Sequence, residues 1–285
     1  MDTDIINMVK KLEKIKIETS RRCPLSLIHP KCPITSLNKK YNGSLDVNVI
    51  FKFLEQMKDL GCEADLLLYM YDEPSADCKL SYIIHHIRDH LNINNRIMFD
   101  SNGWGLDENT IKMLFEIGLN RIIITGYTDD IYNRFKEIKE NLCKDSTFDR
   151  TRLRVRAVDD LNKVMQQDVK VYSSFNMDTR LYYYKDVKGE LVKADISKFC
   201  CVKPETLLCV SATGEVVLCE YDWRGTISFG NLYKDSLESI LSNKCKFNTT
   251  AYRDSMLPDF CTTNCSQAFG VRTEEEQCHK IGQKQ

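Results

Sequence analysis

Along the first two-thirds of the chain, polar and apolar residues follow two alternating rhythms. Short apolar runs of strand length alternate with longer segments in which apolar residues recur every three or four positions, the pattern of an amphipathic helix. KIKIETS, Lys14 to Ser20, reads as a strand. DVNVIFKFLEQMKDLG then puts Val47, Ile50, Phe51, Leu54 and Met57 on one helical face, with Gly61 as a stop. ADLLLYMY is almost entirely apolar, as a strand covered on both faces should be. SYIIHHIRDHL reads as a helix and RIMFDSNG as a strand entering a turn; DENTIKMLFEIG reads as a helix with Asp107 as N-cap and Gly118 as C-cap. NRIIITG, the charged DIYNRFKEIKENL and RLRVRAV continue the alternation. Repeated strand-helix units predict an α/β protein built on a parallel sheet.

The pattern breaks twice. ETSRRCPLSLIHPKCPIT carries Pro24, Pro30 and Pro33, each of which fixes its backbone and removes a donor, so this segment is a loop. Beyond LYYYKDVKGELVKAD, which alternates about a Lys-Gly turn like a hairpin, cysteines multiply. Eight of the 13 cysteines fall from Cys200 onward. This shift in composition predicts a boundary near residue 195, dividing the chain into 1–195 and 196–285. LLCVSATGEVVLCEYDWRG predicts a second hairpin with a cysteine on each side of its Thr-Gly turn.

Charge narrows the function classes. Forty basic residues face 41 acidic ones, a net of −1, with no basic stripe to suggest a nucleic acid or an acidic membrane surface as partner. MDTDIINMVKKLEKIKIE lacks the apolar length of a signal peptide or membrane span, which predicts a cytoplasmic protein. In a reducing compartment, so many cysteines point to metal or cluster ligation rather than disulfides.

Four segments, in this order and at these intervals, resemble the radical S-adenosylmethionine (SAM) enzymes with a C-terminal auxiliary iron–sulfur domain, of the type called SPASM or its shortened form, Twitch. They are the cysteine loop after the first strand, YDEPSADC after the second, DSNG after the third, and CVKPETLLCVSATGEVVLCEYDWRGTISFGNLYKDSLESIL with FCTTNC at the end. The resemblance covers nearly the whole chain. It implies a partial parallel (β/α)6-type barrel followed by a small β-hairpin/helix iron–sulfur domain.

The family's first loop is C-x3-C-x2-C, three thiolates that hold a [4Fe–4S] cluster and leave one iron open for SAM. This loop departs from that pattern. Counting from Cys23, the later positions fall on Leu27 and Pro30; counting back from Cys32, they fall on His29 and Leu25. Three alternatives stand: Cys23, His29 and Cys32 as ligands, completion by a distant cysteine such as Cys62 or Cys78, or a decayed site. The resemblance further implies that Glu73 and Pro74 lie at the SAM ammonium, Ser101 and Asn102 near its ribose, and Arg154 or Arg156 within reach of its carboxylate. At the C-terminus it implies Cys201, Cys219, Cys261 and Cys265 as ligands of one auxiliary [4Fe–4S] cluster; a zinc site could use the same four. Cys245 is the candidate for a catalytic hydrogen-donating thiol, against the plainer reading of a buried apolar cysteine.

By the same resemblance the expected activity is reductive cleavage of SAM to a 5′-deoxyadenosyl radical that abstracts hydrogen from the substrate. The outcome would be dehydrogenation, cross-linking or epimerisation, with an external one-electron donor of flavodoxin or ferredoxin type. The short segment before Lys14 leaves no room for a peptide-recognition module. That favours a small carbohydrate or aminocyclitol over a peptide substrate. The rival expectation is a non-catalytic relative that keeps only the C-terminal metal site.

Overall fold

The computed structural model describes residues 2–27, 43–157, 183–185, 191–193, 203–220, 222 and 224–250. His29, Cys32, Cys201, Cys261 and Cys265 lie outside the described residues.

The alternation seen in sequence becomes α1 (Thr3–Lys11), β1 (Lys14–Ile17), α2 (Val47–Asp59), β2 (Asp65–Leu67), α3 (Leu80–Asp89), β3 (Ile97–Ser101), α4 (Glu108–Glu116), β4 (Arg121–Gly126), α5 (Asp129–Leu142) and β5 (Leu153–Ala157). Capping chemistry sets several helix ends. Asp107 accepts from the Thr110 backbone N–H at 2.7 Å at the start of α4, and Gly118 ends that turn at φ +104°, a left-handed conformation that favours glycine. The continuous ADLLLYMY run is only partly strand: pairing covers Asp65–Leu67, and the chain then turns so that Leu68 stays buried while Tyr69 and Met70 are half-buried.

After the antiparallel pair β6 (Tyr183–Lys185) and β7 (Leu191–Lys193) come a short helix α6 (Lys203–Thr206), the strands β8 (Leu207–Val210), β9 (Glu215–Val217) and β10 (Ser228–Asn231), and the helix α7 (Leu237–Thr250). The cysteine-bearing hairpin does not stand apart from the sheet. β8 pairs in parallel with β1, from Lys14 opposite Leu207 to Ile17 opposite Val210, giving one eight-stranded sheet in the order β10-β9-β8-β1-β2-β3-β4-β5. Six of these strands are mutually parallel, and β9 and β10 run antiparallel at one edge.

Strand register sorts the side chains into two faces. Ile15, Leu66, Ile97, Ile122, Leu153 and Leu208 share one face, all buried in the core. Lys16, Asp100, Thr125, Arg156 and Cys209 share the other. A sheet with one apolar and one polar face has helices on the first and a site on the second. Among the described residues no helix is long and apolar enough to cross a membrane.

Candidate active site

The loop after β1, the turn after β2 and the end of β3 meet at one carboxylate. Glu73 is 2% exposed and caps the short 3-10 helix Pro74–Ala76. Its Oε1 accepts from Ser101 Oγ at 2.6 Å, from Ser75 Oγ at 2.6 Å and from the Ser75 N–H at 3.2 Å. Its Oε2 accepts from the Asn102 N–H at 2.6 Å. Burial pushes this carboxyl above its ordinary value, and the hydrogen bonds from Ser101, Ser75 and Asn102 oppose that push. Pro74 opens this helical turn, and Glu73 caps it while accepting from Ser101 and Asn102.

Glu73 also ties in the cysteine loop, because its backbone N–H donates to the Arg22 carbonyl at 2.8 Å. Asn102 completes the circuit. Its Nδ2 lies 3.7 Å from Cys23 Sγ, and its Oδ1 accepts from the Trp104 N–H at 2.9 Å. Gly103 closes the turn at φ +84°, where an added Cβ would come within 2.3 Å of the Phe135 ring. Cys23, Glu73, Pro74, Ser101 and Asn102 are thus brought together. A cysteine sulfur facing an amide donor fits thiolate ligation, since hydrogen bonds to sulfur stabilise the anionic form.

Behind this knot lie two further buried carboxylates, Glu18 and Asp72, that the sequence reading did not single out. Glu18 is fully buried; its Oε2 accepts from the Ala212 N–H at 2.9 Å and from Arg21 Nε at 3.4 Å, pinning the end of β1 to the C-terminal hairpin. Asp72 accepts from the Met70 N–H at 3.1 Å and the Ser20 N–H at 3.4 Å. Burial first, and then the Glu18 charge, push Asp72 well above the ordinary carboxylate range. Glu18 is raised too, by burial against the opposing Arg21 charge.

The polar face of the sheet supplies a further group. Lys16 Nζ sits 4.5 Å from the centre of the Tyr69 ring, burial and then the Asp100 charge push the Tyr69 hydroxyl up, and Asp100 accepts from Arg156 Nη2 at 3.0 Å. Arg156 Nε donates to Thr125 Oγ1 at 2.8 Å. Burial raises Asp100, against Arg156 and Lys16. Arg154 shares this face, but its side chain is exposed and has no hydrogen bond with the described residues; the arginine drawn into the polar group is Arg156. Tyr71 donates to the Glu220 carbonyl, and Lys203 pairs with the Glu220 carboxylate. Burial pushes Glu220 up, yet Lys16 and Lys203 together outweigh it and leave its carboxyl below the ordinary value.

The C-terminal hairpin places Cys219 just beyond β9, 5% exposed, and Cys209 on β8, fully buried. Burial pushes the Cys209 thiol up to about 12, so at neutral pH it is an uncharged thiol. Cys245 is partly buried on α7. The charges acting on its thiol are those of Asp4, Asp2 and Lys11 on and beside α1, not those of the knot. Lys244, next to it, is fully buried with no hydrogen-bond partner for Nζ. Burial pulls its ammonium down to about 8, against Cys209, Cys219 and Glu205. The Phe229 ring lies 5.1 Å away. A desolvated cation–π contact recovers about 2 kcal/mol, whereas a buried lone ion costs several. Leu237, Ile240, Leu241 and Lys244 stand at i, i+3, i+4 and i+7, so a lysine occupying the last apolar position of that stripe was the available signal. Among the described residues no three ligand-type side chains converge as a metal site, five of the seven expected ligands lying outside them.

Comparison with known proteins places the chain beside iron–sulfur and SAM-dependent proteins. The sequence model of an iron–sulfur cluster-binding domain, SPASM, matches residues 200–266. A curated protein of Niallia circulans, the S-adenosyl-L-methionine-dependent 2-deoxy-scyllo-inosamine dehydrogenase, is 22% identical over 275 residues, covering 94% of this chain and 98% of its own. The chain thus resembles the radical SAM enzymes over nearly its whole length and carries a match to a SPASM-type iron–sulfur domain. Among solved structures, BtrN in complex with AdoMet and 2-DOIA superposes with a TM-score of 0.64 at 18% identity, over 86% of this chain and 88% of that one. Selenomethionine BtrN in an open conformation gives 0.60 at 17% identity, over 93% and 97%. These similarities agree with the radical SAM fold expected from the four motifs, a mixed α/β architecture with a mostly parallel sheet.

Proposed function

We propose that this enzyme dehydrogenates a small polyhydroxylated substrate of the aminocyclitol type, converting a secondary alcohol to a ketone while SAM leaves as methionine and 5′-deoxyadenosine. The observation that carries the reading is the convergence of Cys23, Glu73, Ser101 and Asn102 at the C-terminal ends of parallel strands, where such sheets hold their ligands. When bound, the N-terminal [4Fe–4S] cluster with SAM supplies a hydrogen-abstracting 5′-deoxyadenosyl radical, and the auxiliary cluster supplies an acceptor for the electron left on the substrate.

The chain's own residues do the positioning. Cys23 is an N-terminal cluster ligand, with His29 and Cys32 from the same loop as the others. Glu73, whose oxygens are already occupied by internal donors, holds Ser101 and Asn102 in place so that this turn presents its free polar atoms to SAM. Tyr69, Asp100 and Arg156 form a rigid set of donors and acceptors on the polar face, suited to ring hydroxyls and an amino group. Cys219, with Cys201, Cys261 and Cys265, holds the auxiliary cluster. The buried, uncompensated ammonium of Lys244 in the surroundings of Cys219 fits an anionic guest there. Cys245 faces the charges of α1, which favours dehydrogenation over a thiol-dependent epimerisation. The substrate class follows the name of the curated relative, whose substrate is 2-deoxy-scyllo-inosamine. A cytoplasmic location and an external donor of flavodoxin or ferredoxin type complete the proposal.

The test is anaerobic reconstitution with iron and sulfide, iron counting, and assay of 5′-deoxyadenosine from SAM under strong reductant, with and without 2-deoxy-scyllo-inosamine. About eight irons per chain, four for each cluster, with substrate-dependent deoxyadenosine and a ketone product support the proposal. About four irons without SAM cleavage would instead identify a binding relative.

A further inference from the structure

We propose that Lys244 tunes the auxiliary cluster: its buried ammonium donates to a thiolate or sulfide of the cluster held by Cys219 and keeps that cluster easy to reduce. The inference rests on the auxiliary cluster assigned above and adds a residue outside its ligand set.

Three observations carry it. Lys244 Nζ is fully enclosed and has no hydrogen-bond partner among the described residues. Its side chain occupies the core-facing stripe of α7 with Leu237, Ile240 and Leu241, a position where helix patterning calls for an apolar residue. The groups whose charges act on it are Cys209, Cys219 and Glu205, and Glu205 is exposed and forms no ion pair with it. A buried ammonium without a protein acceptor or counter-ion is a poor structural choice unless something anionic arrives. A thiolate-ligated iron–sulfur cluster is such a guest, with soft acceptor sulfurs that take N–H hydrogen bonds.

The site is cationic beyond Lys244. Lys16 and Lys203 act on the same Cys209 environment, with Glu220 the opposing carboxylate. Lys203 is engaged with Glu220, and Lys16 lies over Tyr69. Lys244 is the member of this trio whose ammonium is fully buried without a hydrogen-bond acceptor among the described residues. Because reduction adds negative charge to a cluster, a fixed positive charge and an N–H donor beside it stabilise the reduced form and raise its potential. A cluster that must take an electron from a substrate radical benefits from that shift. Cys209, held as a neutral thiol, contributes no second anion.

The experiment is an EPR-monitored reductive titration of the reconstituted full chain, with and without SAM, for wild type, Lys244→Met and Lys244→Gln. The auxiliary signal is the one that Cys219→Ala abolishes and SAM leaves unchanged. Its midpoint should move to lower potential in Lys244→Met and by less in Lys244→Gln, which keeps a donor without the charge, while the SAM-responsive signal stays in place. An unchanged midpoint with a Cys219-dependent cluster present overturns the inference and leaves the enzyme reading intact. Should Cys219→Ala remove neither iron nor signal, the cluster assignment falls and the inference with it. Where Lys244→Met does not fold, Lys244→Gln decides by the same shift.

Discussion

The two ends of the polar sheet face are built on opposite electrostatic plans. At the knot after β1, β2 and β3, three carboxylates, Glu18, Asp72 and Glu73, are buried, and the protein supplies donors to each of them. At the C-terminal hairpin, lysines gather around two cysteines and one of them, Lys244, is left without a partner. In the first region both Glu73 oxygens accept hydrogen bonds, while Glu18 Oε1 has no partner among the described residues. The second is poised for a negative guest. The difference is one of sign: buried carboxylates met by amide and hydroxyl donors shape the first region, and a buried ammonium with no acceptor among the described residues marks the second.

Glu73→Ala should give the largest effect, because it strands donors from Ser75, Ser101 and Asn102 around one void. Stability should fall by about 3 kcal/mol, and 5′-deoxyadenosine formation should drop to background. Chemical denaturation and the SAM-cleavage assay check both; a folded, active variant would break the claim that this knot organises the site. Lys244→Met should move stability in the opposite sense. In the iron-free protein, replacing a partnerless buried ammonium by an isosteric apolar chain should stabilise by about 2 kcal/mol. A loss of stability there would show that the lysine is compensated after all.

The buried acids give the contrast a pH signature. Glu18 and Asp72 have raised pKa values, so the folded state holds protons that the unfolded chain releases. Their contribution to stability is therefore full below about pH 4, the unfolded carboxylate range, and is lost as pH rises through the raised folded values. Asp72→Asn removes one titrating group and the like-charge repulsion on its neighbour. The decline in stability above pH 4 should flatten in urea titrations run at several pH values, and an unaltered slope would refute the coupling. The smallest effect is expected from Arg156→Met, which takes one charged donor from Asp100 and Thr125. KM for the cyclitol should rise about tenfold, the scale of one charge-assisted hydrogen bond, while SAM cleavage without substrate stays near the wild-type rate.

Much of this architecture was legible along the chain. The strand and helix alternation, the caps at Asp107 and Gly118 and the turn at Gly214 rest on local rules of period, cap and turn, whereas the grouping of the cysteine loop with DEP and DSNG was expected only from the family resemblance. Less legible were pairings across long sequence separations. Nothing local distinguishes Arg154 from Arg156, since alternate residues of one strand share a face; only the approach of Asp100 and Thr125 selects the second. Glu18 reads as an ordinary strand-end glutamate until Ala212, distant in sequence, donates to it.

The sequence by itself determined the order of elements, the ligand-type residues available and the family they resemble, because periodicity, caps and cysteine spacing are properties of neighbours. Tertiary structure decided that the C-terminal hairpin joins the sheet beside β1, that Glu73 is a clamp bound on all sides, and that Lys244 is a charge without a counterpart. Burial and compensation depend on what distant segments bring to the same place, and no window along the chain contains that information.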